Sequence, residues 1–271
     1  MIECHVCHGT KVIIDGTGDY ARSEACRCQA NCKLCQSVGY LFETDADGYR
    51  TVVECSCQSL LKRIRVFNDA RIPARYADAT FGRIKVGPGN RDMQMARTRA
   101  HRFVQEYESG VKGLLLFGPT GTGKTLLASV MLRYLIFERG VRGRFVEFMH
   151  LLTALRATYG DRGRAEDLMG PLVDVPVLVI DELGKGRGSD WELSVLDELI
   201  SKRYNAERTT LFTSNYLPDA QGASATEGKS SASDTNVETL SDRVGIRTYS
   251  RLTEMCDPVR LYGIDHRRQA P

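Results

Sequence analysis

The stretch that decides the fold is Gly118-Pro119-Thr120-Gly121-Thr122-Gly123-Lys124-Thr125, which follows an apolar run at residues 112–117. The pattern G-x4-G-K-T is typical of a phosphate-binding loop, whose glycines let backbone N–H groups turn toward an anion. A helix predicted from about residue 124 to residue 137 directs the positive end of its dipole at the same point. Strand, loop and helix follow in the required order, so we predict a nucleotide-binding α/β domain.

Two side chains of the loop have predicted roles of their own. Lys124 adds a positive charge beside the phosphates, and the Thr125 hydroxyl can ligate Mg²⁺. Leu126, which follows them in the helix, is counted with the nucleotide-binding residues.

A second buried-strand pattern at residues 175–180 ends in Asp181-Glu182. We expect Asp181 to orient Mg²⁺ and its waters, and Glu182 to polarise the attacking water. Kinases and simple GTPases do not generally place a general base there, so the pair favours a hydrolytic ATPase of the additional-strand class.

Further alternation of strands and helices completes the predicted domain. Ser189-x-x-Glu192 is a capping box that predicts a helix to about Arg208. A third apolar strand at residues 209–214 ends at Asn215, where a polar side chain can contact the attacking water or γ-phosphate. With a last strand at residues 258–262, this pattern predicts a parallel sheet with the nucleotide at the carboxyl ends of its strands.

Eight of the nine cysteines lie in the first 57 residues, and they repeat. The pattern CxxC-x18-CxC is followed by CxxC-x19-CxC, each copy with an apolar stretch and a turn between its cysteine pairs. Each copy therefore predicts a hairpin with cysteines at both ends. Four thiolates suit tetrahedral Zn²⁺, so we predict two zinc ions per chain in a segment that owes its folding to metal.

The spacing leaves the assignment of cysteines to ions open. Pairing within each repeat gives the sets Cys4, Cys7, Cys26, Cys28 and Cys32, Cys35, Cys55, Cys57. An interleaved scheme would join Cys4 and Cys7 to Cys55 and Cys57, and Cys26 and Cys28 to Cys32 and Cys35. The duplication favours the first scheme. Buried unligated thiols, an iron–sulfur cluster, and ligation by His5 or His8 are the less favoured alternatives.

Composition sets limits on class and location. The 271 residues are 42% hydrophobic and carry a net charge of +3, which does not by itself indicate nucleic-acid binding. The absence of an 18-residue apolar run and of a secretory leader predicts a cytoplasmic protein without membrane contact. The predicted domains are residues 1–60 with zinc, a linker and adenine-side segment at 61–90, and the ATPase domain at 91–271 with a mobile loop at about 218–236.

The chain resembles the AAA+ ATPases of the DnaC/DnaI helicase-loader group and their transposition relative IstB, over roughly residues 70–268. The matching segments, in chain order, are Ile72-Pro73 with Tyr76, residues 118–125, Asp181-Glu182-Leu183-Gly184, Arg203-Tyr204, Thr213-Ser214-Asn215, Arg251 and Gly263-Ile264-Asp265. A zinc-binding segment in front of such an ATPase is similar to the DnaI type, in which it meets the helicase. The resemblance implies ATP as the nucleotide and an AAA+ sheet without a full lid domain.

The same resemblance implies roles for several residues. Arg251 would reach the γ-phosphate bound by a neighbouring subunit, with Arg247 as the alternate, in an oligomer that forms on ATP binding. Ile72 and Tyr76 would lie against the adenine. The segment from Leu151 to Tyr159 would face single-stranded DNA, and four basic or aromatic side chains in it and just after it suit backbone contact and stacking. These are Arg156, Tyr159, Arg162 and Arg164.

Three functions follow as hypotheses. The first is an ATP-dependent loader of a replicative helicase on single-stranded DNA. The second is an IstB-like transposition regulator whose partner is a transposase. The third is a zinc adaptor whose ATPase module serves as a nucleotide-gated scaffold.

Overall fold

The computed structural model describes residues 4–29, 32–36, 38–44, 46–87, 89–158, 160–218 and 238–263. The chain forms two compact units, one of residues 1–78 with 133–142 and one of residues 79–132 with 143–271. The first contains both cysteine repeats, and the second contains the phosphate loop. Helix α1 (Ser56–Asp69) runs across residue 60, where the sequence analysis placed the end of the zinc-binding segment.

The first unit contains two antiparallel hairpins, as the repeat predicts. The strands are β1 (Val12–Asp15) with β2 (Arg22–Ala25), and β3 (Tyr40–Thr44) with β4 (Arg50–Glu54). Each hairpin joins a CxxC turn to a CxC pair, so its strands bring the four cysteines of one repeat to one end. Ile64 and Phe67 on α1 are buried in this unit.

The second unit alternates strands with helices. Its strands are β5 (Gly113–Phe117), β6 (Gly143–Glu147), β7 (Val177–Leu183), β8 (Thr209–Ser214) and β9 (Cys256–Arg260). The helices in its described part are α2 (Arg91–Gln105), α4 (Phe148–Ala157), α5 (Arg162–Asp174), α6 (Asp190–Asn205), α7 (Leu240–Val244) and α8 (Ile246–Met255). Helix α3 (Lys124–Phe137) begins in this unit, and its residues from 133 onward belong to the first. Strand β9 begins two residues before the start predicted from the sequence, residue 258.

The five strands form one sheet in the order β6-β7-β8-β5-β9, and every neighbouring pair is parallel. Strand β8 lies between β5, which carries the phosphate loop, and β7, which carries the acidic pair. This inserted strand defines the additional-strand class, so the predicted AAA+ fold class is confirmed. Strand β8 is buried throughout, as a sheet covered by packed elements requires.

A buried arginine joins three elements beside this sheet. Arg203 near the end of α6 is completely buried, and its guanidinium donates to the carbonyl oxygens of Leu172, Val175 and Thr209. Burial lowers the pKa of Arg203 to about 9. The acceptors are backbone oxygens at the end of α5 and the start of β8, so Arg203 fixes the ends of both elements.

Side-chain caps explain where several helices begin. Asn90 and Asp161 accept hydrogen bonds from the backbone at the starts of α2 and α5. Ser189 caps α6 as predicted, because its side chain accepts a hydrogen bond from the Glu192 N–H. The Glu192 side chain, however, does not complete the capping box by accepting from the Ser189 N–H. The Glu192 carboxylate accepts from the N–H groups of Arg187 and Gly188, so it holds the preceding loop rather than the cap residue.

No helix in the described ranges is both long enough and apolar enough to cross a lipid bilayer.

Candidate nucleotide and metal sites

The phosphate loop lies between β5 and α3, at the carboxyl end of the sheet. Gly118, Gly121 and Gly123 have positive φ angles of 142°, 82° and 91°, which glycine adopts without steric cost. A Cβ on Gly118 would also collide with the backbone carbonyl of Leu261. Glycine is therefore required at position 118 by both conformation and close packing.

The Lys124 side chain is folded back into this loop. Its buried Nζ donates to the carbonyl oxygens of Gly118 at 2.8 Å and Pro119 at 2.7 Å. The Thr122 hydroxyl donates to the same Pro119 oxygen at 2.9 Å. The ammonium group therefore lies within the loop that the sequence predicts to hold phosphates.

Strand order brings Thr125 and Asp181 together across 56 residues of sequence. The hydroxyls of Thr125 and Thr213 donate to the Asp181 Oδ1 atom at 2.9 Å and 2.5 Å. Burial raises the pKa of Asp181, and these two hydrogen bonds oppose that rise. Hard oxygen ligands beside a phosphate loop suit Mg²⁺, so the Thr125 hydroxyl and the Asp181 carboxylate fit the ion.

Glu182 occupies an irregular position at the end of β7. The register between β7 and β8 shifts between Ile180 and Leu183, and Glu182 lies in that bulge with a positive φ of 59°. Such strained positions in non-glycine residues concentrate at functional sites. The Glu182 N–H donates to the Thr213 hydroxyl at 3.0 Å, and its carboxylate forms an ion pair with Lys185.

Three residues of this cluster are not among the site residues that the sequence predicts. Thr213 contacts both acidic residues, although the sequence indicated Asn215, which is exposed just after β8. Lys185 pairs with Glu182 from the following turn. Glu147 ends β6 opposite Asp181, and burial together with the negative charges of Glu182 and Asp181 raises its pKa. A strand predicted at residues 143–147 would have been the signal for Glu147.

Arg251 and Arg247, the two candidates for contact with the γ-phosphate of a neighbouring subunit, differ in their surroundings. Arg251 on α8 donates to Asp197 Oδ1 at 2.8 Å and to Ser201 Oγ at 2.5 Å, and 22% of its side chain is exposed. Arg247 lies 3.9 Å from the same Asp197 oxygen, and 76% of its side chain is exposed. Arg251 is thus hydrogen-bonded within the chain, whereas most of the Arg247 side chain is exposed to solvent.

The predicted DNA-facing segment forms the end of α4 and the start of α5. Arg156 pairs with the buried carboxylate of Glu192 at 2.8 Å and lies over the Trp191 ring at 4.9 Å. Arg164 pairs with Asp161 at 3.3 Å. Arg162 begins α5, and Tyr159 lies outside the described residues.

The cysteines of the first unit form two groups of four. The members are Cys4, Cys7, Cys26, Cys28 and Cys32, Cys35, Cys55, Cys57, with all sulfur atoms of a group within 4.8 Å of one another. These are the sets within each repeat, not the interleaved ones. His5 and His8 are exposed, and neither belongs to a group.

The cysteine groups have the chemistry of zinc ligands. Backbone hydrogen bonds from Cys7 and Val6 lower the pKa of Cys4 to about 6. The equivalent bonds from Cys35 and Leu34 lower the pKa of Cys32 to about 6. Thiolate is the form that binds zinc, so the backbone at the first cysteine of each CxxC turn favours the ligating state. Desolvation and the neighbouring thiols raise the pKa of Cys57 to about 12, and the pKa of Cys26 is likewise raised to about 12. The ninth thiol, Cys256, is buried in β9 and donates to the Thr210 carbonyl at 3.1 Å.

The two residues predicted to contact adenine belong to the first unit. Ile72 is buried, and its carbonyl accepts a hydrogen bond from the Ala21 N–H at 2.8 Å. Tyr76 lies in a short helical turn, where the Arg75 guanidinium is 5.0 Å from its ring centre. Their role at the nucleotide stays a prediction. Most of the predicted mobile loop at 218–236, together with Ile264 and Asp265 of the last motif, lies outside the described residues.

A phosphate loop on β5, a carboxylate pair on β7 and an inserted β8 define an ATP-binding protein of the AAA+ class. The family described as IstB-like ATP binding protein matches residues 81–225, more than half of the chain. The chain belongs to this family. The replicative helicase loader DnaC of Escherichia coli strain K12 is 27% identical over 157 residues, which are 57% of this chain and 62% of that protein. The chain therefore spans less than two thirds of the length of this relative.

Solved structures agree with the family assignment. A crystal structure of the DnaC helicase loader is similar with a TM-score of 0.58 and 29% identity, covering 69% of this chain and 99% of that one. A crystal structure of DnaI is similar with a TM-score of 0.53 and 24% identity, covering 71% of this chain and 93% of that one. The second similarity supports the fold alone.

Proposed function

We propose that this protein hydrolyses ATP and thereby loads a replicative helicase on single-stranded DNA. The observation that carries the proposal is the contact of Thr125 and Thr213 with Asp181, beside a loop that encloses the Lys124 ammonium group. The name of its DnaC relative, a replicative helicase loader, supports the choice of partner.

Each residue of the site has a proposed part in hydrolysis. The N–H groups of residues 118–126 and the Lys124 ammonium hold the phosphates. Thr125 and Asp181 hold Mg²⁺, which neutralises phosphate charge when bound. Glu182 orients and deprotonates the attacking water, and Asn215 contacts that water or the γ-phosphate.

Assembly completes the proposed site. ATP binding brings subunits together as a homo-oligomer, and Arg251 or Arg247 of one subunit reaches the γ-phosphate held by the next. Ile72 and Tyr76 contact the adenine. The end of α4 and the start of α5 contact single-stranded DNA, through Arg156, Tyr159, Arg162 and Arg164. The protein acts in the cytoplasm.

A loading assay tests this proposal with purified components. The replicative helicase of the same genome is mixed with ATP, single-stranded DNA coated with its binding protein, and the full-length chain. We expect helicase to reach the DNA only with the chain present. Lys124→Ala removes ATP binding, whereas Glu182→Gln retains it and lowers turnover at least 100-fold. Loading that is equally efficient without the chain, or unchanged ATP binding by Lys124→Ala, contradicts the proposal.

A second candidate is a transposition regulator, because the matching family is described as IstB-like. Its partner would be a transposase, so ATP-dependent binding to transposase and not to helicase would favour it. A third is the zinc adaptor with a nucleotide-gated scaffold. Negligible ATP turnover in the presence of both DNA and partner would favour that one.

A further inference from the structure

The two cysteine repeats are built alike but differ on one face of the hairpin. Alignment on the cysteines places Tyr40 at the position of Val12, Phe42 at that of Ile14, and Val52 at that of Ser23. The strand registers agree with this alignment, since Ile14 pairs with Ser23 and Phe42 pairs with Val52. Cross-strand neighbours share one face of a hairpin, so these are equivalent faces.

In the first repeat this face is covered by helix α1. The Asn68 side chain accepts from the Ser23 N–H at 2.6 Å and donates to the Ser23 carbonyl at 3.0 Å. The Ser23 hydroxyl donates to the Ile64 carbonyl at 3.4 Å. Ser23 and Val12 are consequently only 6% and 9% exposed.

In the second repeat the equivalent face is more apolar and is open to solvent. Tyr40, Phe42 and Val52 are 47%, 67% and 62% exposed. Helix α1 starts at the last cysteine pair of this repeat, yet it packs on the first hairpin. An exposed cluster of aromatic and β-branched side chains, flanked by polar residues, is typical of an interaction surface.

The first repeat indicates which kind of element covers such a face. Helix α1 buries Ile64 and Phe67 in the interior of the unit, and the neighbouring positions along the helix carry Lys62, Arg63 and Arg65. It is thus an amphipathic helix with basic flanks.

The charge around the second hairpin suits a helix of the same kind. Between residues 40 and 54, Glu43, Asp47 and Glu54 are exposed, and the one basic residue of that stretch is Arg50, which lies over the Phe42 ring. Glu54 already pairs with Lys62 of α1 at one end of the hairpin. Basic residues beside an apolar helix face would therefore meet opposite charge.

We propose that the Tyr40–Phe42–Val52 face docks a basic amphipathic α-helix of the partner protein. This inference rests on the proposed function for the identity of that partner, the replicative helicase. The helix takes the place on the second hairpin that α1 takes on the first, and the zinc-bound cysteines hold the hairpin in shape.

A binding measurement tests the face in the full-length, zinc-loaded chain. Affinity for the purified helicase is measured for Val52→Ser, which restores the residue of the first repeat, and for Phe42→Ser. Met95→Ser is the matched control, because Met95 is 70% exposed on α2 in the other unit. We expect each hairpin variant to bind at least tenfold more weakly, with zinc content and ATP turnover unchanged, and the control to bind normally.

The outcomes separate this proposal from the proposed function. Normal binding by both hairpin variants overturns the docking face and leaves the helicase-loader function standing. Failure of the unmodified chain to bind helicase overturns the function itself and the docking proposal with it. A photo-crosslinker at position 42 then tests the occupant. Adducts spaced by three, four or seven residues on one helicase segment support a helix, whereas adducts in a loop or within this chain contradict it.

Discussion

The Thr213 hydroxyl donates to Asp181 Oδ1 at 2.5 Å and accepts from the Glu182 N–H at 3.0 Å. One side chain on the inserted strand therefore touches both acidic residues of the neighbouring strand. It fixes the direction of the Asp181 carboxylate and the backbone turn that aims Glu182. The site thus depends on a hydroxyl of β8 as well as on the two carboxylates of β7.

Thr213→Val tests this link, because valine keeps the shape and removes the hydroxyl. We expect ATP turnover to fall by about 10- to 100-fold, since a hydrogen bond to a charged group contributes about 1.5–3 kcal/mol. Thr213→Ser, which retains the hydroxyl, should preserve most of the activity. Turnover by the valine variant within twofold of the unmodified protein would mean that Thr213 does not position the carboxylates.

The ion pair between Glu182 and Lys185 leads to a second prediction. The ion pair holds the Glu182 carboxylate against Lys185, so Lys185→Met should free it to reach the attacking water and raise basal ATP turnover. The Lys185 side chain is 56% exposed, and exposed ion pairs contribute about 1 kcal/mol or less, so we expect a two- to fivefold rise at most. Lys202→Met is the matched control, because it breaks an exposed pair with Glu198 on α6. Lower turnover of Lys185→Met would assign Lys185 a direct role in hydrolysis.

Substitution of the two arginines of α8 should have different effects, one on the free energy of unfolding and the other on ATP turnover. Arg251→Ala removes two hydrogen bonds between α8 and α6, so we expect it to lower the free energy of unfolding of the second unit by about 1–3 kcal/mol. Arg247→Ala should leave stability unchanged and lower ATP turnover of the assembled oligomer at least tenfold. Denaturant titration and turnover at saturating protein concentration measure the two effects.

Arg102→Ala controls for the loss of an exposed arginine, because 75% of that side chain is exposed on α2. If Arg251→Ala lowers turnover without lowering stability, the arginine that acts on the neighbouring subunit is Arg251, as the family resemblance implies.

Metal analysis tests the cysteine groups directly. We expect two zinc ions per chain, and Cys28→Ser should lose the ion of the first group while the second group keeps its own. Cys256→Ser is the control, since this thiol lies in β9 and belongs to neither group. One ion in the unmodified chain, or loss of both ions in Cys28→Ser, would favour a shared site.

Much of the second unit can be predicted from local sequence. The loop at residues 118–125 and the strand before it form a self-contained pattern, because glycine spacing and the apolar run are both set over a few residues. The carboxylates at residues 181 and 182 follow their own buried strand in the same way. The sequence does not predict the bounds of strand β6, because GRFVE mixes polar with apolar positions, and it therefore does not indicate Glu147 either.

The fold class, the phosphate loop and the duplicated cysteine sets can all be predicted from the amino-acid sequence, because each depends on residues that are close together along the chain. Tertiary structure decided which residues meet. It grouped the cysteines within each repeat, placed Thr213 between Asp181 and Glu182, and tied Arg251 to Asp197. It also set α1 against the first hairpin and left the second open. Such contacts depend on strand order and helix packing, which join segments that are distant in sequence.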